Sequence, residues 1–272
     1  VIEAGPLFLC GEPRRGPVLA PLEVSAGRPA EEELRRDAEA LDARCAACGV
    51  ALSGGAARIA GPATPEALRA ASRAVAGLGG RFYLMPGKTA FPPPGPFVLG
   101  HASGDPSPWT ALGVFAAIRG GLGELRGARV AVLGCGRVGS RLVALLVEAG
   151  ARVLAADVDP ARAAAAGSAG AEVLPPADLI GVECDLLSPN ARGFVFTEEE
   201  QARLRCRLII GAQSVVPWRE HRGIRAVPET LSGSGWLRSL SAELHPAGWS
   251  EETARRLVLS MTHLGSDPKS PI

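Results

Sequence analysis

Apolar and polar positions follow two different rhythms along this chain. In the N-terminal third, apolar runs at Leu7 to Cys10, Pro17 to Val24 and Phe82 to Met85 have the length of strands. Between the second and third of these, Leu34, Ala38, Leu41, Cys45 and Cys48 recur at helical steps. They predict a helix from about Pro29, with Glu31 to Glu33 in its first turn and Gly49 past its end. The stretch VALSGGAARIAG reads as two short strand-like pieces around Gly54 and Gly55. Thr64 then caps a second helix, with Pro65 at its first position and Leu68, Ala71, Val75 and Leu78 on one face. PGKTAFPPPGPFVLGHASGDPSP is too long and too rich in Pro and Gly for an ordinary connection. It predicts a domain junction or site-lining loop that leads into a helix from Trp109 to Arg119.

From there the rhythm is regular. Strand-like runs at 129–133, 152–156, 171–174, 184–187, 207–210 and 224–227 alternate with helical or turn segments. Thr197 opens TEEE, a capping-box pattern, and Ser250 caps a final helix to about Leu264. Alternating βα units imply an α/β fold: a Rossmann-type doubly wound parallel sheet plus a smaller α/β N-terminal domain. The expected organisation is a substrate and oligomerisation domain at 1–108 and a cofactor domain at 109–239. The C-terminal helical segment, 240–272, is expected to pack back on the first.

Composition narrows the classes. Of 272 residues, 47% are hydrophobic and 21% charged, with a formal charge of +1, which gives no basic footprint for nucleic acid or an anionic membrane. No apolar run reaches the length of a spanning helix, and a cytoplasmic protein is the expectation. The six scattered cysteines argue against a disulfide framework. Cys45 and Cys48 have CxxC spacing but lie on the helical stripe, and no second CxxC completes a zinc site, so no metal is expected. Trp218, Trp236 and Trp249 crowd the last quarter and read as core packing.

One motif carries cofactor chemistry. In GCGRVGS, Gly134, Gly136 and Gly139 complete GxGxxG between the apolar run at 130–133 and a helical pattern. The first glycine allows a tight turn, the second a close approach to a pyrophosphate, and the third helix-on-strand packing. The phosphates would sit at the helix N-terminus. Asp157, at the end of the next strand, has the position of the acid that accepts from adenosine ribose hydroxyls and repels a 2′-phosphate, so NAD is favoured over NADP.

PPADLIGVECDLLSPNARG at 175–193, with VAVLGCGRVGS and ADVDP before it, resembles the cofactor domain of the leucine/phenylalanine/glutamate/valine dehydrogenase family. DPSPWTALGV resembles the segment entering that domain, and RCAACGVALSGGAARI and LGGRFYL resemble its catalytic domain. The resemblance implies hydride transfer between an L-amino acid and NAD, and a homo-oligomer, most simply a dimer. It places Arg44, Gly54, Gly55 and Thr110 on the substrate side. Around the cofactor it places Gly134, Gly136, Arg137, Val138, Gly139, Asp157, Val158 and Pro189.

The same resemblance exposes losses. The lysine that activates water in the family's GGGK is matched by Ala56, and another lysine by Arg44. The aspartate that moves amine protons is matched by Gly87, and an asparagine on the cofactor side by Val215. An Asn-Ala-Gly-Gly turn is replaced by Gly233 to Trp236. Replacement groups are offered by the long loop. Lys88, one of only two lysines, would serve as base or electrostatic clamp if partly desolvated, with His101 and Asp105 relaying a proton. Three functions stay open: an NAD-dependent oxidoreductase on an altered amine, imine or amino-acid-derived small molecule; an NAD-using isomerase, lyase or cyclase without net redox; and a non-catalytic NAD-binding or regulatory subunit.

Overall fold

The computed structural model describes residues 1–191, 193, 196–213 and 223–261. Val215, Trp218 and the final helical turn expected up to Leu264 lie outside them. The chain divides into two compact units, Val1–Gly104 with Leu240–Ala254, and Asp105–Ser239 with the residues from Arg255. The division falls at 104/105 rather than 108/109, and only the first part of 240–272 groups with the N-terminal unit.

The first unit holds a five-stranded sheet of β1 (Ile2–Ala4), β2 (Leu7–Gly11), β3 (Val18–Ser25), β4 (Ser53–Ala60) and β5 (Phe82–Pro86), in the order β1-β2-β4-β3-β5. β3 runs parallel to β4 and β5, while β2 is antiparallel to β1 and β4. Alternation along β4 assigns its two faces. Ala56 packs with Phe8 and Cys10 against Leu34 and Ala38 of α1 (Glu31–Ala47). Ala57 and Ile59 face the cluster that includes Ala71 and Val75 of α2 (Pro65–Ala76). Thr64 caps α2 by accepting from the Ala67 amide at 3.2 Å.

β4 is one continuous strand rather than two pieces about Gly54 and Gly55. Local propensity reads the glycines as breakers, but close packing calls for them. A Cβ at Gly54 would fall on the backbone of Leu41 and Asp42 in α1, and one at Gly55 on the Val18 side chain and the Cys10 carbonyl. Cys45 is fully buried on the inner stripe of α1, and burial pushes its thiol up to about 12. No group of three or more metal-ligating side chains occurs among the described residues.

The second unit opens with α3 (Pro106–Leu122), three residues earlier than the pattern suggested, because Asp105 caps it and Pro106 takes the first position. The βα alternation follows: β6 (Arg129–Leu133), α4 (Arg137–Glu148), β7 (Arg152–Ala156), α5 (Pro160–Ser168), β8 (Glu172–Val173), α6 (Pro176–Ile180), β9 (Leu186–Pro189), α7 (Glu198–Arg203), β10 (Leu208–Ile209) and β11 (Arg225–Ala226). All the pairings are parallel, in the order β11-β10-β9-β6-β7-β8. This is a doubly wound sheet whose strand order reverses between β6 and β9. Both bonds of the Thr197–Glu200 capping box are present. Short helices α8 (Glu229–Ser232), α9 (Gly235–Ala242) and α10 (Glu251–Leu259) complete the described chain. No helix among the described residues is long and apolar enough to cross a membrane.

Candidate cofactor and substrate sites

The glycine loop joins the carboxyl end of β6 to the N-terminus of α4, and each of its glycines has a different physical reason. Gly134 has φ +93°, and a Cβ there would lie 2.5 Å from the Ala191 amide nitrogen. A Cβ at Gly139 would fall on the carbonyl oxygen of Gly134. These two let the β9 exit and α4 close on the loop. Gly136 is different. It caps α4 with φ −69° and ψ −161°, a conformation open to any residue, and a Cβ there meets no described residue within 4 Å. Packing among the described residues does not need a glycine at that point.

Asp157 stands beside the loop. One carboxylate oxygen accepts from the Cys135 amide at 2.6 Å and the other from the Asp159 amide at 2.9 Å. An ionised carboxylate has about four acceptor sites, so two remain for further donors. Next to it Val158 is 90% exposed, an unusual place for a branched apolar side chain. Val138 packs against the core beneath the loop, and Pro189 ends β9 opposite Leu133. Cys135 is buried within the loop, and burial, aided by the Asp157 charge, pushes its thiol up to about 11. It is an inert thiol at neutral pH.

Arg137 and Arg141, one turn apart on α4, approach the Asp105 carboxylate at 4.0 and 3.4 Å. Asp105 also accepts from the Ser107 amide at 2.9 Å, the cap bond of α3. Burial raises its pKa, but Ser107 and the two guanidiniums outweigh that and hold the carboxyl below its usual range. Its carboxylate caps α3 and is engaged by both guanidiniums.

The other two loop candidates are held by different partners. The Lys88 amide donates to Glu23 at 2.8 Å, beside the amide and hydroxyl of Thr89, while the Lys88 side chain is exposed. Lys88 thus faces solvent rather than a partly desolvated site. His101 donates from Nε2 to the Pro92 carbonyl at 2.9 Å. A carbonyl only accepts, so Nε2 carries the proton. Glu243 accepts from the Gly100 and Ser103 amides at 2.9 to 3.1 Å. Glu23 and Glu243 thus pin the two ends of this Pro/Gly-rich loop. Neither stood out in the sequence, since each acts on backbone far away along the chain.

On the substrate side, Gly54 and Gly55 are accounted for by packing, and the Gly54 amide donates to Asp42 at 2.8 Å. Asp42 also pairs with Arg15. Burial would raise the Asp42 pKa, but these two donors hold it below its usual range. Arg44 is half-buried near the end of α1, and the Thr110 hydroxyl donates back to the Pro106 carbonyl at 2.9 Å. Ala56 is 2% exposed within its apolar cluster, and a Cβ at Gly87 would fall on the Leu22 carbonyl oxygen. Neither position has room for an added polar side chain.

A parallel doubly wound sheet with a glycine loop at its reversal point and an acid after the second strand defines a dinucleotide-binding, Rossmann-type domain, here joined to a second α/β unit. No family model matches the chain. It is 32% identical over 257 residues to phenylalanine dehydrogenase of Thermoactinomyces intermedius, a match covering 81% of this chain and 69% of that relative. It is also 32% identical over 171 residues to leucine dehydrogenase of the same organism, covering 58% of this chain but 46% of the relative. The crystal structure of L-tryptophan dehydrogenase from Nostoc punctiforme superposes with a TM-score of 0.79 at 25% identity, covering 95% of this chain and 84% of that one. The chain belongs to the amino acid dehydrogenase family. NAD is the cofactor that fits this family.

Proposed function

We propose that this chain is an NAD-dependent oxidoreductase acting at the carbon–nitrogen centre of an amine, imine or amino-acid-derived small molecule, by a route other than standard oxidative deamination. Gly136 is the observation that carries the cofactor half of this reading. It is a glycine without a packing reason among the described residues, at a helix N-terminus whose first amides have no intrahelical acceptors. A pyrophosphate lying close to that backbone supplies the missing reason. Arg137 and Val138 would flank it, and Asp157 would accept from the adenosine ribose with its remaining acceptor sites. Exposed Val158 would cover one edge of the adenosine, and Pro189 would border the other half of the dinucleotide. NAD, when bound, takes or gives the hydride.

The substrate half rests on Ala56 and Gly87. They stand where the family carries a water-activating lysine and a proton-moving aspartate, and both are closed by packing. A substrate whose carbon–nitrogen bond needs no hydrolysis, such as a preformed imine or the amine made from it, fits this loss. We assign substrate and oligomer contacts, most simply those of a homodimer, to the first unit, with Arg44 as a candidate contact and Lys88 as the available cation; Thr110, in the second unit, is a further candidate for substrate. The same closed positions favour a second reading, a non-catalytic NAD-binding subunit, which differs from the first only in lacking turnover.

Fluorescence titration with NADH and NADPH tests the cofactor assignment. The wild type is expected to bind NADH in preference to NADPH. Asp157→Ser is expected to weaken NADH about tenfold and to narrow the gap to NADPH, because it removes a charged acceptor and a repulsion to the 2′-phosphate together. Equal affinities of the wild type for both nucleotides would contradict the role given to Asp157.

A further inference from the structure

At the point where the strand order reverses, the chain leaves β9 through Pro189, Asn190 and Ala191. This exit is wedged between two glycines. A Cβ at Gly134 would strike Ala191, and one at Gly211, after β10, would strike the Pro189 carbonyl. What sets the path of the exit within that slot is Asn190. Its backbone amide donates to the Leu133 carbonyl, the last residue of β6, at 2.7 Å. Its side-chain Nδ2 donates to the carbonyl and hydroxyl oxygens of Ser188 at 3.0 and 3.1 Å, and Oδ1 accepts from the Ala212 amide at 3.1 Å.

The amide is oriented by its partners. A backbone carbonyl can only accept and a backbone N–H can only donate, so a flipped amide would break both contacts. Three strand ends, β6, β9 and β10, are therefore joined through one half-buried residue, directly beside Gly134 and Gly139. In a doubly wound fold of this kind, the strands on the β7 side of the reversal serve one mononucleotide half. Those on the β10 side serve the other. The Asn190 side-chain bonds lie wholly on the β9–β10 side.

Taking the NAD reading above as its basis, we infer that Asn190 is a positioning residue for the nicotinamide half of the dinucleotide. It fixes the β9 exit against which that half lies, and does not touch the adenosine half. Aspartate at this position keeps the acceptor for Ala212 but sets a carboxylate oxygen against the Ser188 carbonyl. Alanine removes all three side-chain bonds and leaves the Ala212 amide without its acceptor.

The test compares ADP with NADH, by calorimetric titration, on the wild type, Asn190→Ala and Asn190→Asp, with thermal melts of each. Both variants are expected to weaken NADH about tenfold while ADP affinity stays within about twofold of the wild type. A loss shared equally by ADP and NADH would assign Asn190 to general loop stability and overturn the inference, as would unchanged NADH affinity. If Asn190→Ala does not fold, Asn190→Ser, which keeps one hydroxyl in the site, takes its place. If no variant folds, Asn190 belongs to folding and the inference falls. A wild type that binds neither ligand would instead overturn the NAD reading on which it rests.

Discussion

Gly136→Ala is expected to leave folding intact and to weaken NADH binding by between about tenfold and a hundredfold, whereas Gly139→Ala is expected to lower thermal stability sharply. The contrast follows from what each added methyl would meet. At Gly136 it enters open space, in a backbone conformation that alanine adopts freely. Nothing among the described residues resists it, so its cost falls on whatever must lie close to that backbone. At Gly139 it lands on the Gly134 carbonyl oxygen, and a backbone oxygen bonded into a tight turn cannot yield as a flexible side chain would. Overpacking of this kind costs about 1–3 kcal/mol or more, a large part of a typical total stability of about 5–15 kcal/mol. Circular-dichroism melts and NADH titration on the two variants measure both effects. Normal NADH affinity in a folded Gly136→Ala protein would remove the main support for a dinucleotide in this loop.

The second large effect concerns a lysine placed at position 56. Ala56→Lys is expected to destabilise the first unit by several kcal/mol and to confer no oxidative deamination. Ala56 is enclosed by Phe8, Cys10, Leu34 and Ala38, so the lysine stem overfills an apolar layer between β4 and α1, and its ammonium is buried unless that layer opens. Gly87→Asp adds a Cβ directed at the Leu22 carbonyl oxygen, so the pair of substitutions compounds the strain. Thermal melts report the first effect, and NADH formation from L-amino acids the second. A variant that melts with the wild type and turns over amino acids would contradict the reading that positions 56 and 87 are closed by packing.

The cofactor unit was largely legible in the sequence because its signals are local. Short apolar runs, the glycine spacing and the TEEE cap each lie within one turn or strand of what they determine. The start of α3 was misjudged because Asp105 and Pro106 read as loop residues, although one is a cap and the other a first helical position. The continuity of β4 was hidden for a different reason. Gly54 and Gly55 look like breaks until α1 is seen packing against them, and that approach is tertiary. Glu23 and Glu243 act over long separations on backbone amides, which carry no sequence signal at all. Lys88, His101 and Asp105 drew notice by residue type, but type does not reveal whether a group is exposed, engaged with a carbonyl or capping a helix.

The most direct test of the proposed chemistry is absorbance at 340 nm with purified protein and a panel of preformed imines plus NADH. Parallel wells hold L-amino acids with NAD, and 2-oxo acids with ammonia and NADH. The expected result is NADH consumption with at least one preformed imine and no change in either parallel set. Ready turnover of amino acids, or of 2-oxo acids with ammonia, would contradict it, because hydrolysis and condensation at the carbon–nitrogen bond would then proceed with Ala56 and Gly87 in place.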